Sequence, residues 1–512
     1  MKFKYIILSF FFLSTVGCND SFLDKAPKDQ LTDESYWSTI EDVTMYTTSL
    51  YTYTLDPVNY ILMTDSYTDN AVPVHIYDAQ GQISSGTATS TTRYFAETWK
   101  SQFKGIRRCN VFFENIDRVP MNEEKKQVFI GEVKFLRAFF YTTLVRLFGG
   151  VPIMTRPLDL NETISPRDSA EDVYAFIVKD LEDAAQLLPL ERKEQSEIGR
   201  ATKGAALSLK AILSTYFNKY DIAAQTAKQV MDLGVYGLVD NYEKLFQPAY
   251  ENSKEVIFDH QYLENAKDMT EGSLIDQAFG PQTSSGWEAL SPTQDLVDAY
   301  YCTDGKPIDE SPLYDADKPY ENRDPRLGYT VLWEDAIFAG KAYKPQTGVA
   351  NATRTGYTFR KYINPDNDGC TRPGCTNFIY MRYAEILLSY AEAQNEISGP
   401  DQSVYDAVNQ IRQRPSVEMP PLPVGLTKEQ MREAIRQERR VEFAFEGIRL
   451  LDTRHWRTTE EAIKKPVYGA IKDGQHIFVE QRKFNPEKDY LWAIPLNEIN
   501  LSKGVLVQNP GY

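Results

Sequence analysis

Histidine and cysteine are both scarce in this chain of 512 residues. It holds five cysteines and four histidines, which are His75, His260, His455 and His476. No two histidines have the H-E-x-x-H spacing of zinc hydrolases, and neither a G-x-S-x-G nor a G-x-x-x-x-G-K-[ST] motif occurs. We therefore expect no catalytic residue, no metal site and no cofactor. A glycoside hydrolase stays open as an alternative, because it needs only two carboxylates and the chain has 72 acidic residues.

Basic residues are too few to suit a polyanionic partner. Lys and Arg total 56 against 72 Asp and Glu, which gives a formal net charge of -16. Binding to phosphates requires a surface rich in Lys and Arg. The composition therefore argues against nucleic acid as a partner and against direct adhesion to anionic lipid.

Long apolar runs are lacking except at the N-terminus. Residues 5–13 form one apolar run after Lys2 and Lys4, and small residues lead from it to Cys18. The run is too short to span a bilayer, so it predicts a signal peptide over residues 1–17. Cleavage before Cys18 would expose a thiol for lipid attachment, which anchors a protein to a membrane. Thr15 occupies a position where leucine is usual, so an ordinary secretory signal with an incidental cysteine is the alternative.

The body of the chain has two local patterns with two interpretations each. Cys370 and Cys375 flank a Pro-Gly pair, and in an exported protein they either form a disulfide or remain thiols. Residues 364–369 resemble the start of a calcium loop, but Cys375 stands where a bidentate Glu is needed. A plain turn is the favoured interpretation of that segment.

Apolar periodicity predicts a mainly α protein. Stripes of spacing three and four predict helices at residues 41–55, 95–119, 131–152, 169–188, 381–397, 403–413 and 427–456, and a pair of helices over residues 202–234 that is broken near residues 218–221. Successive helical hairpins favour an α/α superhelix of tetratricopeptide-like pairs, although the consensus of that repeat is not matched. We expect one domain over residues 18–512, with a helical scaffold at about 38–235 and 378–512. Residues 236–377, rich in Gly, Pro and short extended runs, are expected to form a loop-rich insertion.

Candidate ligand contacts combine aromatic rings with planar polar groups on predicted loops. Such pairs suit sugars, whose rings have apolar faces and many hydroxyls. Trp287 is the best placed, since Ser, Gly and Glu flank it and no helical stripe includes it. Trp99 fits a helix core equally well. The complete set of candidates is Asp65, Asp69, Asn70, Trp99, Trp287, Tyr357 and Arg360.

Seven segments in a fixed order resemble the SusD/RagB family of Bacteroidetes outer-membrane nutrient-binding lipoproteins. They are FLDKAPKDQLTDESYW, GEVKFLRAFFYTTLVRLFGGVPI, SPTQDLVDAYYCTDGK, NRDPRL, MRYAEILLSYAEAQNE, RQERRVEFAFEGIRLLDTRHW and YLWAIPLNEINLSKGVLVQNPGY.

The resemblance implies a tetratricopeptide-like scaffold, a loop-rich ligand region and no catalytic activity. It further implies a SusC-like TonB-dependent transporter as partner and an outer-membrane location, lipid-anchored and facing the exterior. The ligand expected from it is an oligosaccharide or polysaccharide, with a peptide as the alternative. The identity of the glycan is not encoded in any motif.

Overall fold

The computed structural model describes residues 37–76, 78–159, 162–264, 266–268, 271–367, 370 and 373–512. The predicted signal peptide, residues 1–17, and the lipid site Cys18 lie outside the described residues. None of the helices in the described ranges combines the length and the apolar character that crossing a membrane requires.

Helices make up most of the regular structure, which confirms the mainly α class. The longer ones are α1 (Ile40–Leu50), α2 (Arg93–Asn115), α3 (Glu123–Phe148), α4 (Ala170–Leu187), α5 (Lys203–Tyr216), α6 (Tyr220–Asp232), α7 (Tyr383–Ser398), α8 (Gln402–Arg412), α9 (Lys428–Glu442) and α10 (Arg449–His455). Short α-helices lie at Pro57–Tyr60, Ala79–Ser84, Tyr242–Leu245, Ile275–Phe279, Gln294–Ala299, Arg326–Thr330, Thr459–Lys464 and Leu496–Leu501.

Helix α3 shows how sequence sets these elements. The Asn122 side chain accepts from the Glu124 amide at its start, and Gly149 ends it with φ 74°, a conformation that glycine adopts without strain. Between these ends, apolar residues on several sides of the helix are buried. Helix α3 is accordingly packed between α2 and α4.

The long helices pack in sequence order. Helix α4 packs on α5, α5 on α6, and α7 on α8. Helix α7 also packs closely on α6, although the loop-rich residues 236–377 separate them in the chain. That segment contributes most of a second apolar core, which includes Tyr242, Phe279, Leu290 and Phe359.

Strands are short and paired in twos. They are β1 (Ala71–Pro73), β2 (Val256–His260), β3 (Leu290–Pro292), β4 (Val331–Leu332), β5 (Ile337–Phe338), β6 (Lys341–Ala342), β7 (Thr358–Phe359), β8 (Phe378–Arg382), β9 (Val467–Lys472) and β10 (Gln475–Glu480). The antiparallel pairs are β1 with β3, β2 with β8, β4 with β7, β5 with β6, and β9 with β10.

The prediction of one helix over residues 427–456 is wrong. Phe445 and Gly447 take left-handed φ values of 61° and 74°, which divide the segment into α9 and α10. The break buries Phe445 and lets Glu446 reach Lys361 and Arg382. Tertiary packing therefore overrides the helical periodicity at this point.

Buried ion pairs connect α9 to the loop-rich segment and to residues that follow it in the chain. Glu442 accepts from Arg326, Arg382 and Arg414 at 2.8, 2.7 and 3.1 Å. Burial raises the pKa of the Glu442 carboxyl, but the charges of these three arginines outweigh it and hold the pKa well below its usual range. The RQERRVEFAFEG segment thus supplies paired charges inside the protein.

Candidate functional site

The candidate residues at positions 65–70 lie close together inside the protein. The Asn70 Nδ2 donates to Asp65 Oδ1 at 2.8 Å, and both side chains are completely buried. Asp69 accepts two hydrogen bonds from Arg449, at 2.9 and 2.7 Å, and pairs with Arg440 at 3.1 Å. The segment therefore joins the start of β1 to α9 and α10.

The two buried carboxylates of this segment have different partners. Burial raises the pKa of Asp69, yet the positive charges of Arg440 and Arg449 outweigh it and place the pKa well below its usual range. Burial raises the pKa of Asp65 to about 6 against the hydrogen bond from Asn70 that lowers it. Direct ligand contact by Asp65, Asp69 and Asn70 is contradicted by this burial, because their polar atoms are engaged within the protein.

Trp99 lies in the helical core, the alternative that its place on a stripe allowed. It is 2% exposed and packs against Phe103 and Phe148, with ring centroids 4.8 and 5.3 Å apart. A ring buried to this extent has no free face for a ligand. Trp99 stabilises the packing of α2 on α3.

Tyr357 and Arg360 are near in sequence but differ in surroundings. Tyr357 is buried, donates to Gln294 Oε1 at 2.7 Å, and shares a hydrogen bond with Tyr320. Arg360 donates to the Gly328 carbonyl at 2.7 Å and pairs with Glu243. The Arg360 side chain is partly exposed and lines a surface cleft of about 490 Å³.

Trp287 is held on a tight turn with its side chain outside. Its amide donates to the Gln277 carbonyl at 2.8 Å, and the next two amides donate to Gly280 and Ala278. Gly286 lies so close to the opposite backbone that a Cβ there would be 2.0 Å from the Gly280 carbonyl oxygen. The backbone is therefore fixed, while 49% of the Trp287 residue remains exposed.

Glu288 anchors this turn from beneath. It is 1% exposed, and its carboxylate accepts from the amides of Gln282 and Thr353 at 3.1 and 3.3 Å. Burial raises the pKa of Glu288, and these hydrogen bonds oppose the rise. In this turn, the buried Glu288 carboxylate thus holds the backbone next to the exposed Trp287 ring.

The turn adjoins two other exposed segments. The Val74 amide donates to the Ala289 carbonyl at 3.1 Å, which continues the β1–β3 ladder and places exposed His75 and Ile76 beside the turn. The Gln282 amide group donates to the carbonyl of Asn351, another exposed residue. Trp287 therefore stands among segments that sequence reasoning did not connect with it.

Two further sequence features have plain structural outcomes. The thiols of Cys370 and Cys375 are free in this structure, and burial raises the pKa of Cys370 to about 12. Asn364 and Asn367 form a turn in which the Asn367 amide group donates to Asp276 at 2.7 Å. Residues 368 and 369 of the supposed calcium loop lie outside the described residues.

Sequence reasoning missed an exposed aromatic hairpin formed by β9 and β10. Tyr468 and Phe478 are 41% and 60% exposed, with ring centroids 6.0 Å apart. Asp473-Gly474 between alternating apolar residues is a strong hairpin signal, and both residues have positive φ. That dipeptide could have identified the hairpin from the sequence.

Two family models match the chain. The model described as the SusD family matches residues 254–512, and the model described as starch-binding associating with outer membrane matches residues 21–213.

Individual relatives match along nearly the whole length. A crystal structure of a SusD-like protein from Bacteroides fragilis is 31% identical, with TM-score 0.84, covering 95% of this chain and all of that one. A SusD-like carbohydrate binding protein from the same species is also 31% identical, with TM-score 0.85 and coverage of 91% and 99%. The SusD-like protein P38 of Formosa agariphila is 26% identical, over 92% of this chain and 95% of its own.

Proposed function

Because the chain belongs to the SusD family, we propose that it binds an extracellular oligosaccharide or polysaccharide at the Trp287 turn and does not cleave it. Bound glycan would pass to a SusC-like TonB-dependent transporter for uptake. Lipid on Cys18 would hold the protein on the outer membrane, facing the exterior. The carbohydrate-binding relative from B. fragilis supports the ligand class.

The exposed Trp287 ring on a fixed backbone is the observation that carries this proposal. A sugar presents C–H groups that pack on an aromatic face, and its hydroxyls need planar polar partners nearby. A ring whose backbone is already ordered loses little conformational freedom on binding. The exposed His75 and Asn351 lie on the segments adjoining the turn and supply polar groups there.

A glycan array followed by calorimetry on the strongest hit tests the ligand class, with chromatography of the same mixture to detect products. We expect a glycan to bind and to be recovered uncleaved. Release of shorter sugars would favour the hydrolase alternative. Binding of peptides without any glycan would favour peptide uptake.

The anchor and the transporter need separate experiments. In cell fractionation, Cys18→Ala should move the protein out of the outer-membrane fraction, and unchanged retention would contradict the anchor. Protease treatment of whole cells should degrade the native protein if it faces the exterior. Affinity purification in mild detergent should recover a large β-barrel protein in comparable amount, and recovery of the lipoprotein alone would contradict the complex.

A further inference from the structure

The β9–β10 hairpin has two different faces. On one face, a Cβ at Gly469 would lie 2.2 Å from the Thr355 carbonyl oxygen, and a Cβ at Gly356 would lie 3.6 Å from Ile477 Cδ1. Gly469 and Ile477 therefore face the body of the protein. The pairing of the two strands has register shifts, and Ala470 also faces the body, since its Cβ would lie 3.2 Å from a Cβ at Gly356. The exposed aromatic and aliphatic side chains, which form the outward face, are Tyr468, Ile471, His476 and Phe478.

The outward face carries three aromatic rings. Tyr468 pairs with Phe478 across the strands, and the centroids of Tyr468 and His476 are 6.2 Å apart. Ile471, which is 55% exposed, pairs with His476 and adds one aliphatic side chain to this face. We call Tyr468, His476 and Phe478 the hairpin platform.

One loop connects the hairpin platform with the Trp287 turn. At the hairpin, the Ala470 amide donates to Thr355 at 2.7 Å and Lys472 Nζ donates to Thr347 Oγ1 at 3.0 Å. At the turn, the Thr353 amide donates to Glu288. One loop, residues 347–355, is therefore hydrogen-bonded to both the hairpin and the Trp287 turn.

Polar groups border the hairpin platform. The short helix Gln294–Ala299 packs against β9, and its Asp298 lies within electrostatic range of His476. Lys472, Asp473 and Gln475 are exposed at the hairpin tip. The core of a protein interface is depleted of charged residues, whereas aromatic rings with nearby charged and amide groups match a sugar chain.

We propose that the hairpin platform is a second stacking site for the same glycan chain that binds at Trp287. This inference rests on the proposed function and deepens it. The Trp287 turn and the hairpin platform, connected by one loop, should together favour a linear glycan long enough to contact both. The ligand class is then an oligosaccharide of several units or a polysaccharide, and a disaccharide binds at the Trp287 turn alone.

The test is an array that carries each linear glycan both as a disaccharide and as a hexasaccharide or longer, followed by calorimetry. The double variant Tyr468→Ala/Phe478→Ala should weaken binding of the long chains by roughly tenfold and leave the disaccharides unchanged. Trp287→Ala should weaken both. Ile471→Ala, an aliphatic control on the same hairpin face, should behave like the native protein.

Three outcomes would overturn the inference. The second site would be contradicted if the native protein bound long and short chains equally, or if the double variant bound long chains as tightly as the native protein. In either case, weaker binding by Trp287→Ala would still support the proposed function. A loss in Ile471→Ala as large as in the double variant would indicate a general apolar interface. Absence of any glycan binding by the native protein would contradict the proposed function itself. Circular dichroism of each variant checks folding.

Discussion

Residues 65–70 and residues 284–289 look similar in the sequence and differ completely in the structure. Both are short polar segments that suggested ligand contact, yet Asp65 and Asn70 are buried and paired, whereas Trp287 is half exposed. The difference comes from residues that are distant in the sequence, because Arg440 and Arg449 form ion pairs with the Asp69 carboxylate. Polar composition marks a segment as a candidate for ligand contact, and its hydrogen-bond and ion-pair partners determine whether its side chains are free for a ligand or have a structural role.

The two segments also cooperate. Thr293 donates from its hydroxyl to the Asp69 carbonyl at 2.6 Å and from its amide to the Asn70 carbonyl at 2.9 Å. Thr293 directly follows β3, and the Trp287 turn directly precedes it. Residues 65–70 therefore act as the support from which the Trp287 turn is positioned.

Asp69→Ala should give the largest loss of stability. Removing the carboxylate leaves Arg449 and Arg440 without their shared acceptor, and breaking a buried pair costs about 3–5 kcal/mol. Urea denaturation measures the change in free energy of unfolding. Asp232→Ala, which removes an exposed pair with Lys228, should change it by less than about 1 kcal/mol. Equal effects of the two variants would contradict the supporting role of Asp69.

Glu385→Gln extends the comparison to a buried carboxyl that forms no ion pair with the described residues. Burial raises the pKa of Glu385 to about 7, above its ordinary 4.5. A raised carboxyl pKa stabilises the fold at low pH, and this stability is lost as the pH rises from about 4.5 through about 7. The variant should therefore be more stable than the native protein by roughly 3 kcal/mol at pH 8 and equal to it at pH 4.

The matched control for that prediction is Glu392→Gln on the same helix. Glu392 accepts from Trp456 at 2.7 Å and contacts His455; burial raises its pKa, but these partners outweigh burial and lower it. Glu392→Gln should therefore lower the free energy of unfolding at pH 8, whereas Glu385→Gln should raise it. Urea titrations at pH 4 and pH 8 compare the two, and the same sign for both at pH 8 would contradict the assignment.

Gly286→Ala should distort the turn without removing the Trp287 side chain. The added Cβ meets the Gly280 carbonyl oxygen, so the backbone must shift, at a cost of about 1–3 kcal/mol. Thermal unfolding should show that loss, and glycan affinity should fall because the ring is displaced. In the control variant Gly237→Ala, the nearest atom to the added Cβ is 3.6 Å away, so this variant should retain both stability and affinity. Full affinity in Gly286→Ala would show that the fixed turn is not needed.

Local patterns predicted most of the scaffold. The helices predicted at residues 131–152 and 169–188 overlap α3 and α4. Gly149 ends α3, and the Ser169 side chain caps α4 by accepting from the Asp172 amide at 3.1 Å. The break at Phe445 could not be predicted, because it depends on Lys361 and Arg382 from distant segments. Local capping chemistry is visible in sequence, whereas long-range charge pairing is not.

The candidate site was predicted only in part. Flanking Ser and Gly indicated that Trp287 lies on an exposed turn, which the structure bears out. The burial of residues 65–70 follows from arginines some 370 positions later in the chain, which no local pattern reveals. The β9–β10 hairpin was predictable from Asp473-Gly474, and its hydrogen bonds to Thr347 and Thr355 were not.

Calorimetry of Trp287→Ala with the strongest array glycan is the most direct test of the proposed function. Loss of one stacked ring is worth about 1–3 kcal/mol, so affinity should fall roughly tenfold to a hundredfold. The denaturation midpoint should stay unchanged, because the ring is half exposed. Trp287→Phe, which keeps an aromatic face, should retain most of the affinity. Undiminished affinity in a folded Trp287→Ala protein would contradict the central claim that this ring binds the glycan.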